Sequence, residues 1–231
     1  MKSNDLGIFL HRSVYSDSSL IVWFFTRENG VQKFLFRGGK KKAHSLFPLA
    51  VCELSYYGHK NSDLLNITAV ESAQSTTFQF NPISSTIAFF CVECVKKCMH
   101  QGDRDENVFQ FLANFSNRLE NEKNKGVLPL QFLVDFSDVL GLKPQFEDED
   151  GSFFNIHTGV FQSTTNSFER IVSGPGTDLI RSSIMHSSTS DNYNKQTRDE
   201  ALNIMLEYYK VHIPRFDNLE TFDVVKEILS A

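Results

Sequence analysis

Two hydrophobic periodicities divide the chain. Up to about residue 72 the apolar positions come in short runs separated by polar turns, the signature of strands. Leu6–Tyr15 is a first run, closed by Ser16-Asp17-Ser18. Ser19–Thr26 is almost entirely β-branched, aromatic or aliphatic. Glu28-Asn29-Gly30 predicts a hairpin, because Asn-Gly tolerates the positive φ of tight turns. Val31–Arg37 alternates, with Phe34 and Phe36 on one face and Lys33, Leu35 and Arg37 on the other. Leu46–Tyr57 puts Cys52, Leu54 and Tyr56 on one face, His59–Asp63 reads as a turn, and Leu64–Val70 is a fifth strand. Five short strands in this span predict a small closed barrel, and the five-stranded oligonucleotide-binding (OB) barrel is the simplest match.

Beyond residue 80 the period becomes helical. Asn81-Pro82 is an N-cap followed by proline at the first helical position. Ile83, Ile87, Phe90, Cys94 and Cys98 then form one stripe. Val108, Phe111, Leu112, Phe115 and Leu119 mark a second helix. Leu128 to Leu140 marks a third, stopped by Gly141 with Pro144 beyond. Phe153–Phe161 predicts a short hairpin. Asp178–His186 predicts a short helix and Ser187–Asn194 a polar loop. Thr197-x-x-Glu200 is a capping box opening a helix through Tyr209, and a final helix covers about Leu219–Leu229. The fold class is therefore α+β: a barrel domain over 1–76, then a mainly helical domain over 77–231 with a hairpin-like insert near 151–163.

Charge changes this picture by being unevenly spread. Of the 231 residues, the first sixty hold nine Lys/Arg against four Asp/Glu, and the rest hold fourteen against twenty-four. A basic head on an acidic body points to an anionic ligand for the head. Met1 to Leu10 lacks the apolar core of a signal peptide, and no apolar run reaches the length of a membrane span. The expected location is the cytoplasm, in association with the nucleoid, with Cys52, Cys91, Cys94 and Cys98 reduced.

The densest local chemistry is Lys33-Phe34-Leu35-Phe36-Arg37-Gly38-Gly39-Lys40-Lys41-Lys42, five cations without an acid. Phosphate backbones require cations on an approachable surface. Lys40, Lys41 and Lys42 are expected on an exposed loop, with aromatics interleaved nearby (Tyr15, Trp23, Phe24, Phe34, Phe36, Tyr56, Tyr57). Exposed rings stack bases at ~1–3 kcal/mol each; a solvated lysine loop over an all-core set of aromatics is the other reading. Cys91-x-x-Cys94-x-x-x-Cys98 has metal-like spacing, with His100 as a possible fourth ligand, but lies along one helical stripe. It reads as core packing, so no metal is expected. Glu147-Asp148-Glu149-Asp150 lacks the alternating spacing of a calcium loop and reads as a solvated turn. His212 is expected to pack at a helix end. Phosphate-loop, dinucleotide, serine-hydrolase and zinc-protease motifs are all missing, and no enzyme activity or cofactor is expected.

The order of several segments resembles the RecO family of recombination mediators, particularly its Bacteroidetes members. These segments are Gly7-Ile8-Phe9-Leu10, Tyr15 to Val22, Phe25-Thr26-Arg27-Glu28-Asn29-Gly30, Phe36-Arg37-Gly38-Gly39-Lys40, Leu46-Phe47-Pro48-Leu49 and Glu53 to Tyr57. In the body they continue with Phe132-Leu133, Leu140-Gly141-Leu142-Lys143-Pro144, Phe153-Phe154-Asn155 and Gly159-Val160-Phe161. Tyr208-Tyr209-Lys210-Val211-His212-Ile213-Pro214 is the most distinctive. The resemblance implies an OB barrel followed by a helical domain that binds single- and double-stranded DNA and anneals complementary strands. It also implies help in loading RecA onto strands coated by single-strand-binding protein (SSB), with RecR and the SSB tail as partners. Lys33, Arg37, Lys40, Lys41 and Lys42, with Arg27 beside the hairpin, would then be the DNA-binding residues. Some members carry a four-cysteine zinc site around the stretch occupied here by Glu147–Gln162; this chain has no cysteine after Cys98, so the resemblance implies no zinc. A reading of another class is a non-enzymatic scaffold whose basic barrel binds RNA or an acidic protein tail.

Overall fold

A computed structural model describes residues 2–42, 46–58, 62–73, 77–148, 151–165, 170–185 and 193–229. It divides into two compact units, Met1–Glu122 and Lys123–Ala231. The first helices after the barrel thus belong to the same compact unit as the barrel, although the change of periodicity places a boundary at residue 76. Most of the expected turn at His59–Asp63, half of the acidic turn and most of the Ser187–Asn194 loop lie outside the described residues.

In the first unit, strands β1 (Lys2–Val14), β2 (Leu20–Thr26), β3 (Gly30–Phe36), β4 (Val51–Tyr57) and β5 (Leu65–Ser72) form a closed barrel in the order β1-β2-β3-β5-β4. All neighbours are antiparallel except β3 and β5. The OB-like architecture expected from the pattern is therefore present. The alternation seen in the sequence sets which residues fill it. Phe9, Leu20, Val22, Phe24, Phe34, Phe36, Cys52, Leu54, Tyr56, Leu65 and Ile67 form the interior. Its centre is aromatic: Phe24 meets Phe9 at 5.4 Å and Phe34 at 5.9 Å, and Phe34 meets Tyr56 at 5.2 Å, all edge-to-face. That geometry suits the ring quadrupoles. A bulge between Phe9 and His11 bends β1, so that its first half pairs with β4 and its second half with β2.

Helix α1 (Gly39–Lys42) is a single turn after β3. Helices α2 (Pro82–Cys98) and α3 (Glu106–Asn121) complete the unit. The expected cap is present, with Asn81 Oδ1 accepting from the Ser84 amide at 3.0 Å. The α2–α3 connection lies on the β2–β3 hairpin. The Val31 amide donates to the Asp103 carbonyl at 3.2 Å, and the Gly102 amide to the Val31 carbonyl at 2.9 Å. Gly30 makes this close approach possible. Its φ is +66°, and a Cβ there would stand 1.8 Å from the Asp103 oxygen.

The second unit holds α4 (Leu128–Val139), α5 (Pro175–Ile184), α6 (Lys195–His212) and α7 (Phe222–Ile228). Its sheet is formed by β6 (Gln145–Phe146), β7 (Phe153–Asn155), β8 (Val160–Gln162) and β9 (Ile171–Val172), in the order β6-β8-β7-β9. Helix α4 ends at Gly141, φ +72°, with the Leu142 amide returning to the Ser137 carbonyl at 2.7 Å. The capping box at Thr197 is corrected: Asn194 Oδ1 accepts from the Thr197 amide at 2.9 Å, so α6 starts a turn earlier. Asn caps as well as Thr, and here it comes first. Glu200 instead accepts from the Gly176 amide at 3.1 Å. His212 sits at the end of α6, its Nε2 2.9 Å from the Ile156 carbonyl oxygen and its ring against Tyr208.

Candidate nucleic-acid interface

The basic stretch is shaped by one corner of the barrel. Cross-strand register brings Val14 to Leu20 and Leu20 to Phe36, so the β1–β2 turn meets the end of β3. In that turn the Tyr15 and Ser16 amides donate to the Ser19 carbonyl at 3.1 and 3.2 Å. Gly38, φ +67°, redirects the chain after β3, and Gly39 packs against the Phe36 ring, where a Cβ would stand a tight 3.0 Å from it. The Lys40 amide then donates to the Ser18 carbonyl at 3.3 Å. The expected open loop is instead the single turn α1. Two adjacent glycines let the backbone coil directly under the barrel end, and Arg37, Lys40, Lys41 and Lys42 stay exposed around it. Asp17, also exposed, is on the facing turn.

Lys33 lies further up β3. It faces outward with Leu35 and Arg37, since Phe34 and Phe36 point into the barrel. Its cross-strand partner is Trp23, and the partner of Trp23 on β1 is His11. Three strands thus set Lys33, Trp23 and His11 in one row on the outer surface. The His11 and Trp23 rings stack at 4.1 Å with planes 16° apart. Partial burial, reinforced by the positive charge of Lys96 on α2, lowers the His11 pKa to about 4, so the imidazole is neutral near pH 7. Neither His11 nor Lys96 stands out in the sequence. The bulge that resets the β1 register hides the first, and nothing in the α2 pattern shows that its last turn reaches the barrel.

Arg27 stands apart from this group. It follows β2 at the opposite end of the hairpin from Arg37, and its guanidinium is held by the Glu106 carboxylate at 2.8 Å. Its backbone carbonyl accepts from Arg104 Nε at 3.3 Å, and Arg104 also pairs with Glu28 at 3.2 Å.

The aromatic set divides cleanly. Phe24, Phe34, Phe36 and Tyr56 are barrel core. Tyr15 and Tyr57 are 59% and 44% exposed, and Trp23 is half-buried in its stack. Tyr15 is on the same turn whose Ser18 carbonyl receives the Lys40 amide.

The cysteines behave as core. Cys91 and Cys94 are fully buried, and desolvation holds both thiols well above their ordinary pKa. Burial pushes Cys52 and Cys98 up to about 12. Among the described residues no group of three or more His, Cys, Asp or Glu is placed to hold a metal ion. No helix among them is long and apolar enough to cross a membrane.

Comparison with known families decides what this architecture is. Residues 1–76 match the family model described as Recombination protein O N terminal, and residues 79–219 match Recombination protein O C terminal. The chain belongs to the RecO family. Curated members similar to it along their whole length carry the name DNA repair protein RecO. One from Phocaeicola vulgatus is 29% identical, covering 100% of both chains. One from Bacteroides fragilis is 28% identical over 99% of each, and one from Flavobacterium psychrophilum is 26% identical over 100% of each. The Bacteroidetes character of the sequence is thus matched by its RecO relatives, and the two family segments meet between residues 76 and 79, where β-periodicity gives way to helix.

Proposed function

We propose that this chain is a non-enzymatic DNA-repair mediator that grips single- and double-stranded DNA on the barrel surface bearing Lys33, Arg37, Lys40, Lys41 and Lys42. The reading is supported above all by one observation. Four of these cations are exposed around a single barrel corner, and the fifth shares the outward face of β3 with Arg37. Cations so grouped displace counterions from a phosphate backbone, a sequence-independent source of affinity. Annealing then needs no catalytic group: two strands held on a cationic surface repel each other less, and base pairing supplies the free energy. By its family membership the chain would act with RecR, recognise the SSB tail and favour RecA loading on SSB-coated strands in the cytoplasm.

The test is fluorescence anisotropy with a labelled single strand and a labelled duplex, at several salt concentrations. The parent protein is expected to show log affinity falling against log salt with a slope of about −4 to −5 for duplex and less for single strands. Replacing Lys40, Lys41 and Lys42 together by Glu should weaken binding more than tenfold and flatten the slope by about 2 to 3. Unaltered affinity in that triple variant removes α1 from the DNA site. Preference for RNA or an acidic peptide over DNA would favour the scaffold reading.

A further inference from the structure

The row His11–Trp23–Lys33 is larger than a barrel surface needs. An outward Trp on a strand is ordinarily covered by another element or left alone. Here it is covered on one side by an imidazole stacked at 4.1 Å with its plane nearly parallel, and it stays only half-buried. Immediately along the same face, towards α3, Ile8, Phe25 and Val31 are buried. In the other direction Ile21 and Leu35 are half-buried and Ser13 is exposed. The stacked pair therefore marks the margin where the covered face becomes open. Each ring has a cation near it. Lys33 is the cross-strand neighbour of Trp23, and Lys96, exposed in the last turn of α2, the helix packed against β1, is near enough to His11 to act on it electrostatically. Glu93 lies one turn earlier on α2.

We propose that the nucleic-acid track does not end at the barrel corner but continues from Arg37 and Lys33 over the His11–Trp23 stack to Lys96 on α2, where a base of a single strand packs against the ring pair. This rests on the DNA-binding reading above and extends it to a helix outside the barrel. The arrangement combines what strand-binding grooves use, an aromatic platform with cations beside it for the backbone. The neutral imidazole adds ring area without competing for phosphates, so the flanking lysines supply the charge. A duplex has no unstacked base to offer, so the stack contributes to single strands only.

Trp23 is the one tryptophan of the chain, so its emission reports this position alone. The experiment titrates the full chain with unlabelled oligo-dT of about 16 nucleotides, within the site size of one OB barrel. Trp23 emission is followed beside the anisotropy of a labelled strand. Emission should quench in step with binding of the single strand and change much less with duplex. Lys96→Gln should weaken single-strand binding several-fold and flatten the log–log salt slope by about 0.7. Trp23→Ala, read by anisotropy, should lose roughly five- to hundredfold in affinity for single strands, and Trp23→Phe, which keeps a stacking ring, much less. Lys2→Gln, at the start of β1, should behave as the parent. Saturable binding with unchanged Trp23 emission, or a Lys96→Gln protein with parental affinity and slope, overturns the extension and leaves the corner site standing. Absence of any strand binding by the parent overturns both.

Discussion

Arg27 Nη2 and Glu106 Oε1 meet at 2.8 Å, and Arg27 Nε donates to the same oxygen at 2.9 Å. The pair joins the β2–β3 hairpin to the first turn of α3. Glu106 is also favoured there by the helix dipole, and Arg27 holds its carboxyl below the usual range. One cation of the basic head thus already has an anionic partner within the fold.

The consequence is a contrast between two arginines. Arg37→Gln should reduce strand affinity several-fold and flatten the salt slope by about 0.7 to 0.9. Arg27→Gln should change both much less. Anisotropy titrations of the two variants side by side check this. An equal loss in both would return Arg27 to the binding surface.

Gly30 is the position least able to accept a side chain. Ala there would pay for a left-handed backbone and drive its Cβ into the Asp103 carbonyl. Gly30→Ala is expected to destabilise the barrel unit by about 2 kcal/mol or more. Urea unfolding followed by Trp23 emission measures it, and a loss under about 0.5 kcal/mol would show that the α2–α3 connection moves aside freely.

His11 should give the protein an acid-sensitive component. Its folded pKa, about 4, lies below the ordinary 6.5, so the unfolded chain binds the proton more readily. The stabilisation is complete above pH 6.5 and is lost as pH falls from there towards 4. For a partly exposed ring it should amount to on the order of 1 kcal/mol. Urea midpoints measured between pH 7 and pH 4.5 should converge less steeply for His11→Gln than for the parent. Parallel pH dependences would mean that His11 titrates normally.

The thiols should be inert until the chain unfolds. With Cys52 and Cys98 at about 12 and Cys91 and Cys94 fully buried, almost no thiolate exists at pH 8. A disulfide reagent should therefore react with fewer than one of the four thiols in native protein, and with all four in denaturant. Fast native labelling of Cys98, the least covered of them, would reveal opening at the end of α2.

Much of the fold was legible because it depends on local periodicity. The two-residue alternation of β3 fixed which way Phe34, Phe36, Lys33 and Arg37 point. The Asn81-Pro82 and Gly141 signals fixed the ends of two helices. What escaped was set by distance or by irregularity. Glu106 lies 79 residues from Arg27, and no local pattern links them. The bulge at Leu10 shifts His11 into register with Trp23, which alternation alone would not show. Strands β6 and β9 are two residues each, too short to leave a period. The glycines that read as a flexible bend lead into a helical turn, with Gly38 in the left-handed region and Gly39 on the Phe36 ring.

The division of β1 carries a consequence for assembly. Its residues Lys2–Ile8 are the whole seam with β4, whereas Gly7–Val14 serve β2. Shortening the chain by that opening segment would leave the β2–β3 hairpin intact yet uncover one full side of β4. An exposed row of backbone donors and acceptors is a template for a foreign strand. Pairing by Lys2–Ile8 thus occupies a β4 edge that would otherwise be open to such a strand.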